Sequence, residues 1–332
     1  MKSVAMCWSM SLVVLSMTAP LLRAVELGVE GDRFTLDGKP TFLLGCSYYG
    51  GLGAPEATAR ADLDELKRLG FNWIRVWADW TGFGADLSAV DAGTGAERQP
   101  YLDKLVWLCN ECDRRGMVVD VTFTRGKGVE GKPLLADAAS LRRAVETVVT
   151  ALAKSRNWYL DLSNERNIGD ARHTSMAELA ELREAVRKIN PKLLVTASHG
   201  GDASNDEVLA YLRTARIDFV SIHRPRDAEG AARVSEATRE YRKWIAGSGR
   251  VVPLMYDEPF RRGYGKWDPV AADFSKDLKS SREAVAAGWC FHNGDTRGAK
   301  DHEPRRSFDL RNRSLFEQLD AEERKFLAGL AR

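Results

Sequence analysis

Residues 158–167 read Trp-Tyr-Leu-Asp-Leu-Ser-Asn-Glu-Arg-Asn, an apolar run that ends in a polar Asn-Glu pair. Residues 251–259 read Val-Val-Pro-Leu-Met-Tyr-Asp-Glu-Pro and repeat this arrangement further along the chain. Each stretch places a glutamate, Glu165 or Glu258, where a buried strand meets a loop. Whether the two carboxylates lie close together depends on the fold of the chain around them.

Apolar strands alternate with amphipathic helices from residue 41 to the end of the chain. Several strand segments are β-branched and apolar without alternation, which is typical of strands covered on both faces. The predicted strands are Thr41–Cys46, Trp73–Trp77, Met117–Phe123, Trp158–Leu162, Leu193–Ala197, Phe219–Ile222, Val251–Tyr256 and Gly288–Phe291. The predicted helices are Ala57–Leu69, Tyr101–Arg115, Ala138–Lys154, Ser175–Ile189, Ser204–Arg213, Ala231–Ala246, Pro269–Ala287 and Ser314–Leu330.

This strict alternation predicts an α/β fold of the (β/α)8 TIM-barrel type, formed by a single domain of residues 25–332. The alternative is an open doubly wound sheet, which usually carries a glycine-rich phosphate loop after its first strand. Gly50-Gly51-Leu52-Gly53 follows the first strand but lacks the GxGxxG spacing. The barrel is therefore favoured, with a hairpin over Gly28–Pro40 expected to cap its bottom.

Residues 1–24 differ from the rest of the chain. Lys2 is followed by an apolar run from Val4 to Leu22 that ends near Ala24. This pattern predicts a signal peptide cleaved after Ala24, and hence a secreted or periplasmic protein; an uncleaved N-terminal anchor is the alternative. No other run is long and apolar enough to predict a membrane span.

Charge and cysteine content exclude several classes of function. Residues 1–24 contain two basic residues and no acid, so the remainder has as many basic as acidic residues and offers no support for nucleic-acid binding. Cys109 and Cys112 form one CxxC without a second pair, which favours two buried helix positions over a zinc site. Cys46 and Cys290 lie on the first and last predicted strands. A disulfide between them is one interpretation, and the favoured interpretation is that both are small core residues.

In a barrel, the chemistry lies at the carboxyl ends of the strands. Polar and aromatic side chains are concentrated there, and such groups suit a carbohydrate, because aromatic faces stack on sugar rings while polar groups bind hydroxyls. The candidate site residues are Tyr49, Arg75, Trp77, Asn164, Glu165, His223, Arg224, Glu258, Trp289 and His292.

These positions resemble the large clan of retaining (β/α)8 glycoside hydrolases that includes the family 5 cellulases and mannanases. The resemblance rests on Asn164-Glu165 ending the fourth strand and Glu258 ending the seventh. It extends to Phe34–Pro40 before the first strand and to Phe71–Trp77, which contains an arginine where the clan often has one. The resemblance implies that Glu165 is the general acid/base and Glu258 the nucleophile.

Physical chemistry supports these roles. A retaining enzyme holds its two carboxyl groups about 5–5.5 Å apart across the glycosidic bond. Arg75 would favour the ionised form of Glu258, and the negative charge of Glu258 is expected to raise the pKa of Glu165. Asn164 is expected to bind the sugar 2-hydroxyl. Alternatives remain. Glu165 could be only a charge at a helix N-terminus and Glu258 only one of several surface acids, and Asp257 could take the strand-end position in place of Glu258.

The sequence also departs from the clan. An aromatic hydroxyl usually ends the sixth strand, whereas here Pro225 takes that position, with Tyr256 or Tyr48 as possible replacements. The third strand lacks the histidine that family 5 members often carry. The strand-eight tryptophan is loosely matched, because Trp289 could point into the core and leave Phe291 or His292 at the sugar. We therefore expect a divergent member.

Basic residues crowd the loops of this rim: Arg125, Lys127, Arg166, Arg172, Arg224, Arg226, Arg261, Arg262 and Arg297. Because arginine binds carboxylate and sulfate in a bidentate manner, one hypothesis is a substrate with uronate or sulfate groups. The competing interpretation pairs most of these arginines with acids of nearby loops: Asp170, Asp202, Asp227, Asp268 and Asp295.

Other chemistries fit less well. The five histidines form no HxH or HExxH motif, so no metal and no other cofactor is predicted. Lys127 stands among loop glycines and is a poor Schiff-base lysine. A non-catalytic carbohydrate-binding barrel and a transglycosidase remain as alternatives to a hydrolase. The loop Thr81–Gln99 is expected to wall one end of the cleft. Sugar identity, linkage, endo or exo action and oligomeric state are not indicated.

Overall fold

The computed structural model describes residues 24–294 and 307–330, so the predicted signal peptide lies outside the described residues except for Ala24. The strands are β1 (Leu27–Glu30), β2 (Arg33–Leu36), β3 (Lys39–Thr41), β4 (Leu43–Ser47), β5 (Trp73–Trp77), β6 (Thr81–Gly82), β7 (Ala85–Asp86), β8 (Val118–Thr122), β9 (Trp158–Asp161), β10 (Val195–Thr196), β11 (His199–Gly200), β12 (Val220–His223), β13 (Leu254–Tyr256) and β14 (Gly288–Phe291). The helices are α1 (Glu56–Arg68), α2 (Tyr101–Arg114), α3 (Ala138–Ala151), α4 (Met176–Ile189), α5 (Asn205–Ala210), α6 (Ala228–Ala232), α7 (Val234–Gly247), α8 (Ala271–Glu283), α9 (Leu315–Gln318) and α10 (Ala321–Leu330).

The parallel strands form a closed barrel. Its wall runs β4-β5-β8-β9-β10 and β11-β12-β13-β14, and β14 pairs again with β4. The fifth barrel strand is split, because β10 pairs with β9 and β11 pairs with β12, with residues 197–198 between them. Every pair in the wall is parallel and every crossover carries a helix, so the predicted (β/α)8 fold is confirmed.

The barrel strands are covered on both faces. All residues of β4, β5, β8 and β9 are buried, which explains why these segments show no polar alternation. Charged residues on them, Arg75, Asp120 and Asp161, point into the barrel instead of to solvent. The polar interior of the upper barrel is therefore built from strand residues and not only from loops.

The bottom of the barrel is an apolar layer closed by the N-terminal hairpin. Strands β1, β2 and β3 pair antiparallel, and Phe34 packs edge-to-face on Phe219 with ring centroids 5.0 Å apart. The indole of Trp73 lies across the backbone of Gly45, where a Cβ atom would stand 1.6 Å from a ring carbon. Glycine is therefore required at position 45, and the hairpin cap expected from the sequence is present.

Three of the predicted helices differ in the structure. The helix predicted over Ala231–Ala246 is two helices, α6 and α7, and that over Ser314–Leu330 is also two, α9 and α10. Helix α5 ends at Ala210 and continues as a π-helical turn over Tyr211–Ala215. Ser314 begins α9 with a capping box to Glu317, a local signal that fixes the start of α9 but not its end.

The described cysteines are all free and buried. Cys46 lies opposite Phe291 in the β4–β14 ladder, whereas Cys290 lies opposite Gly45. Because successive strand residues point to opposite faces, the two thiols lie on different sides of the sheet. The disulfide alternative is therefore wrong. Cys109 and Cys112 are core residues of α2, as favoured from the sequence.

The loop Thr81–Gln99 contains the hairpin β6–β7 and a bridge between Val90 and Glu97. No residue of this loop is in the lining of the cavity at the carboxyl ends of the strands, to which the adjacent Trp80 and Val129 contribute instead. The amide of Val129 donates to the carbonyl of Thr81, so the loop packs behind this lining. Within residues 24–294 and 307–330, no helix has both the length and the apolar character needed to cross a membrane.

Candidate active site

A cavity of about 510 Å³ opens at the carboxyl ends of the barrel strands. Trp77, Trp80 and Tyr264 give it aromatic walls, and Glu165 and Glu258 are in its lining. Its other lining residues come from the loops after five barrel strands and from the chain beyond β14: Tyr49, Thr124, Gly126, Lys127, Gly128, Val129, Pro133, Asn164, Asp170, Ala171, Arg172, Arg226, Arg261, His292 and Ser307. The sequence-predicted strand ends thus converge on one cavity.

Glu165 is presented to the cavity by a strained turn after β9. Its backbone is in the left-handed region, with φ 49°, and its amide donates to Oγ of Ser198 over 3.2 Å. Asp161, the last residue of β9, accepts hydrogen bonds from the amides of Ser163 and Ser198. This turn fixes Glu165 between the fourth and fifth strands, and strained non-glycine residues of this kind cluster at functional sites.

Glu258 follows β13 and faces Glu165 across the cavity. Its Oε1 accepts from the hydroxyl of Tyr49 over 2.8 Å and from Arg75. One carboxylate oxygen of each glutamate and a ring nitrogen of His223 all lie within 4.8 Å of one another. The alternative carboxylate, Asp257, is buried away from the cavity, 3.3 Å from Nε2 of His223. Glu258 is thus the acid of this pair that a ligand can reach.

Arg75 is the fully buried cation beneath the two glutamates. Its Nε donates to Asp120 over 3.1 Å, and Nη2 donates to Asp161 and to Oδ1 of Asn164, both over 2.9 Å. A charge without solvent is tolerated only when such partners surround it. Arg75 therefore holds the ends of the second, third, fourth and seventh barrel strands in one network.

The charges around Glu258 favour its ionised form. Burial opposes ionisation, but the positive charges of His223, Arg75 and Arg226 hold the pKa of Glu258 well below its usual range. Nε2 of His292 lies 3.6 Å from Oε2 of Glu258. Glu258 is therefore an anion over the whole physiological range, as a nucleophile requires.

Glu165 has the opposite protonation from that expected. Burial raises its pKa, as does the charge of Glu258, but the hydrogen bond and charge of His223 and the charge of Arg226 lower it to about 2. Arg172 also donates to Oε2 of Glu165 over 2.5 Å. Without a ligand, both glutamates are ionised, because the neighbouring cations outweigh the repulsion between them.

The two histidines of the site differ in charge. Burial lowers the pKa of His223, but the charges of Glu258 and Asp257 outweigh it and raise the pKa to about 10. His292 is equally buried, and its pKa is held well below its ordinary value by burial and by the nearby arginines Arg261 and Arg226. At neutral pH, His223 is a cation and His292 is a neutral hydrogen-bonding group.

The structure separates the remaining sequence-predicted residues into two groups. Tyr49, Trp77, Asn164 and His292 line the cavity, while Arg75 and His223 lie directly behind the two glutamates. Arg224 is buried elsewhere, with Nη2 donating to Asp277 over 2.6 Å and its guanidinium over the ring of Tyr256. Trp289 also donates to Asp277, over 2.7 Å, and packs on Phe326. Neither Arg224 nor Trp289 reaches the cavity.

Tyr49 supplies the aromatic hydroxyl that the sixth strand lacks. The two residues named as replacements are engaged elsewhere, since Tyr48 donates to Asp62 over 3.0 Å and Tyr256 bonds Thr238 over 2.7 Å. The hydroxyl of Tyr49 also lies 2.9 Å from Nδ1 of His292. The hydrogen bond onto Glu258 therefore comes from the first barrel strand, a position that the sequence predicted only as a sugar contact.

Most rim arginines pair with acids, but only two of the acids that the competing interpretation named, Asp170 and Asp268, take part. The pairs are Arg125–Glu178, Arg166–Glu207, Arg172–Asp170, Arg224–Asp277, Arg262–Asp268 and Arg262–Asp320. Of the expected acids, Asp202 instead accepts from Tyr241 and Asp227 caps α6. Asp295 and Arg297 lie outside the described residues.

Three cations of the cavity have no acid from the surrounding loops. Arg226 pairs with the two glutamates themselves, and Arg261 and Lys127 make no ion pair with any residue that the structure describes. Sequence reasoning noted these residues only as part of a basic rim. The one sequence feature that could have identified them as cavity residues is their position just after the carboxyl ends of the sixth, seventh and third barrel strands.

Glu165, His223 and Glu258 are the group with the geometry to hold a metal ion in the described part of the chain. The guanidinium of Arg226 donates to both carboxylates, and His223 carries a proton at neutral pH. A cation at this position would have to displace both positive groups. In this arrangement Arg226 and His223 supply the positive charge that balances the two carboxylates.

Solved glycoside hydrolases have similar structures. An endo-1,4-β-mannanase from Rhizomucor miehei matches with a TM-score of 0.63 and 13% identity over 92% of this chain and 98% of its own. A family 5 mannosidase from the same organism matches with a TM-score of 0.58 and 14% identity over 93% and 98%. A candidate glycoside hydrolase from Bacteroides vulgatus ATCC 8482 matches with a TM-score of 0.66 and 15% identity over 88% of this chain, which spans 59% of that protein.

No protein-family profile and no curated protein sequence matches the chain. At identities of 13–15%, the structural similarity establishes the fold. The resemblance noted in the sequence is thus confirmed as a shared architecture. The chain has the (β/α)8 barrel of the family 5 glycoside hydrolases.

Proposed function

We propose that the protein is an exported retaining glycoside hydrolase, a divergent relative of the clan that includes family 5. The observation that carries this proposal is the separation of Glu165 and Glu258, whose nearest oxygens lie within 4.8 Å at the rim of the barrel. A retaining pair needs about 5–5.5 Å between its carboxyl groups, whereas an inverting pair needs about 6.5–9.5 Å to admit a water.

Glu258 is the nucleophile of the proposed reaction. Arg75 and Tyr49 hold its Oε1, so Oε2 is the oxygen that attacks the anomeric carbon and forms the glycosyl-enzyme bond. The network beneath the pair is buried and already charged, so it holds the attacking carboxylate in its ionised form before the reaction begins. Water then cleaves this bond, and the configuration at the anomeric carbon is retained.

Glu165 is the general acid and base. It protonates the leaving oxygen in the first step and takes a proton from the attacking water in the second. Its pKa is lowered chiefly by the hydrogen bond and charge of His223 and then by the charge of Arg226, and Arg172 also donates to it. Loss of the two arginine contacts would raise this pKa and favour the protonated acid. Substrate binding therefore has to rearrange these arginines before the chemistry begins.

The cavity has the groups that position a sugar. Oδ1 of Asn164 accepts from Arg75, which leaves its amide nitrogen to donate to the 2-hydroxyl. Trp77 and Trp80 lie with ring centroids 4.9 Å apart and offer aromatic surface on one side. Because Lys127 and Arg261 bring positive charge without acid partners among the described residues, we propose a glycan that carries uronate or sulfate groups.

A second candidate function is a non-catalytic carbohydrate-binding barrel. The observation that favours it is the ionised resting state of Glu165, which is held by three cations. Transfer of the glycosyl group to a sugar acceptor would use the same two glutamates as hydrolysis.

The test is product release from a panel of neutral and anionic glycans by the wild type, Glu258→Ala and Glu165→Gln. A retaining hydrolase should release product of unchanged anomeric configuration, and Glu258→Ala should abolish release. If both variants bind glycan as the wild type does and none of the three proteins turns it over, the binding function takes its place. Release of sugars onto an added acceptor would identify a transglycosidase.

A further inference from the structure

The guanidinium of Arg226 occupies the space between Glu165 and Glu258, where a sugar would have to bind for cleavage. Its Nη2 donates to Oε1 of Glu165 over 3.2 Å and to Oε2 of Glu258, so one guanidinium group joins the two glutamates. Oε2 is the oxygen of Glu258 that Arg75 and Tyr49 leave free. An anomeric carbon cannot approach that oxygen while the guanidinium covers it.

The hydrogen-bonding capacity of Arg226 is not used up by the two glutamates. Its Nε is buried and has no hydrogen-bond partner, and Nη1 donates to no residue that the structure describes. The guanidinium lies over the ring of Tyr264, with Cζ 4.7 Å from the ring centroid. Tyr264 is 40% exposed, so one side of this arrangement faces the cavity mouth.

A second guanidinium contacts the same aromatic ring as that of Arg226. Arg261 is over the same Tyr264 ring at 5.3 Å, lines the same cavity, and has an unpartnered buried Nε. No described acid pairs with it. Two neighbouring guanidinium groups that share one aromatic ring repel each other, and an anion between them would relieve that repulsion.

A neutral sugar and an anionic sugar would meet different conditions here. To reach Glu258, either must displace Arg226 from two charge-assisted hydrogen bonds. A neutral hydroxyl can accept only a hydrogen bond from the displaced guanidinium that is weaker than the bonds it lost to the two carboxylates. A carboxylate or sulfate returns a charge-assisted, bidentate partner and at the same time pairs with Arg261.

We propose that Arg226 and Arg261 form the binding site for a carboxylate or sulfate on the sugar that is attacked, and that this anion draws Arg226 away from Glu165 and Glu258. The inference rests on the proposed glycosidase function and adds where the anion binds and which residues bind it. It also makes the release of both glutamates dependent on the substrate's own charge.

The experiment measures binding and cleavage separately. Isothermal titration calorimetry is run with tetrasaccharides of mannuronate, galacturonate and sulfated chondroitin as anionic probes, and with mannotetraose and cellotetraose as neutral ones. The proteins are the wild type, Arg226→Gln, Arg226→Lys and Arg261→Gln. Arg262→Gln is the matched control, because Arg262 is the neighbouring arginine but pairs with Asp268 and Asp320 outside the cavity. The same samples are then assayed for products.

We expect at least one anionic probe to bind the wild type ten times or more tighter than either neutral probe. Arg226→Gln should remove that preference without weakening neutral binding, Arg261→Gln should reduce it, and Arg226→Lys should retain part of it. Arg262→Gln should leave it unchanged. Retained melting temperatures would exclude misfolding of the variants.

Equal binding of the two classes by the wild type, a preference that survives Arg226→Gln, or no binding of any probe would overturn the inference. Cleavage of a neutral glycan with no anionic preference would overturn it while leaving the glycosidase function intact. Anionic binding that depends on Arg226, without any cleavage, would support the anion site and contradict the proposed catalysis.

Discussion

The hydroxyl of Tyr49 donates to Oε1 of Glu258 over 2.8 Å and thereby connects the first barrel strand to the seventh. Because this bond orients the attacking carboxylate, Tyr49→Phe should lower kcat more than it raises KM. A hydrogen bond to a charged group contributes about 1.5–3 kcal/mol, which corresponds to a loss of about tenfold to a hundredfold in kcat. Steady-state kinetics on the first active substrate would measure it.

Tyr48→Phe is the control for this prediction. Tyr48 is the adjacent residue, but its hydroxyl donates to Asp62 on α1 and not to the site. It should therefore change stability and leave kcat within a factor of two or so of the wild type. Equal losses of kcat in the two variants would argue that Tyr49 acts only through packing.

Replacing Arg75 should destabilise the whole barrel. Arg75→Met removes the buried cation that pairs with Asp120, Asp161 and Glu258, and leaves these carboxylates without their counter-charge. Breaking a buried pair in this way costs about 3–5 kcal/mol. Urea denaturation would measure the loss, and Arg142→Met, which removes an exposed pair with Glu146, should produce no comparable change.

His223 should make stability depend on pH. Its folded-state pKa is raised to about 10, above the ordinary histidine value, so its contribution is full below about pH 6.5 and is lost as the pH rises towards 10. The melting temperature of the wild type should fall over this window, and His223→Gln should remove most of the fall. The same fall in His223→Gln as in the wild type would contradict the assignment; His173→Gln, at an exposed histidine, is the control.

Arg172 should set the pH range of activity. The groups that face Glu165 are His223, Arg226, Arg172 and Glu258, and removal of one cation favours the protonated acid. Arg172→Gln should therefore move the basic limb of the kcat/KM profile to higher pH. An unchanged or lowered limb would mean that Arg172 does not hold the acid ionised. Arg125→Gln, whose arginine pairs with Glu178, is the control.

Gly45→Ala should disrupt the barrel floor, because the added Cβ would lie 1.6 Å from a ring carbon of Trp73. Overpacking of this kind costs about 1–3 kcal/mol or more. Gly247→Ala is a matched control at the end of α7, where nothing lies within 4 Å of the added methyl. It should be neutral or stabilising, since alanine favours the helix by up to about 1 kcal/mol. Chemical denaturation of both variants would compare them.

The sequence predicted what depends on local pattern. Continuous apolar runs marked the barrel strands, and their order placed Glu165 and Glu258 on one rim. The same rule explains why Arg75 could be named, since it lies on a strand whose neighbours are all apolar. Alternation of strands and helices is a property of the chain itself, and a parallel barrel follows from it.

Sequence pattern could not predict what depends on side-chain direction. Trp289 lies within β14 and Arg224 directly follows β12, and both side chains donate to Asp277 on α8, on the outer side of the barrel wall. The protonation of Glu165 could not be predicted because it depends on three cations, of which His223 and Arg226 come from the sixth barrel strand and the residues after it. Arg226 was indistinguishable, in sequence, from rim arginines that pair with loop acids.

The placement of Arg75 has a consequence for how the chain reaches its native state. Its partners are divided between the first half of the barrel, with Asp120 and Asp161, and the second half, with Glu258. Glu165 and His223 are divided in the same way. In a half-barrel these charged groups would lack part of their counter-charges. The two halves should therefore fold together in one cooperative transition. The two glutamates proposed to cleave a glycan are thus also among the residues whose ion pairs should make folding of the barrel cooperative.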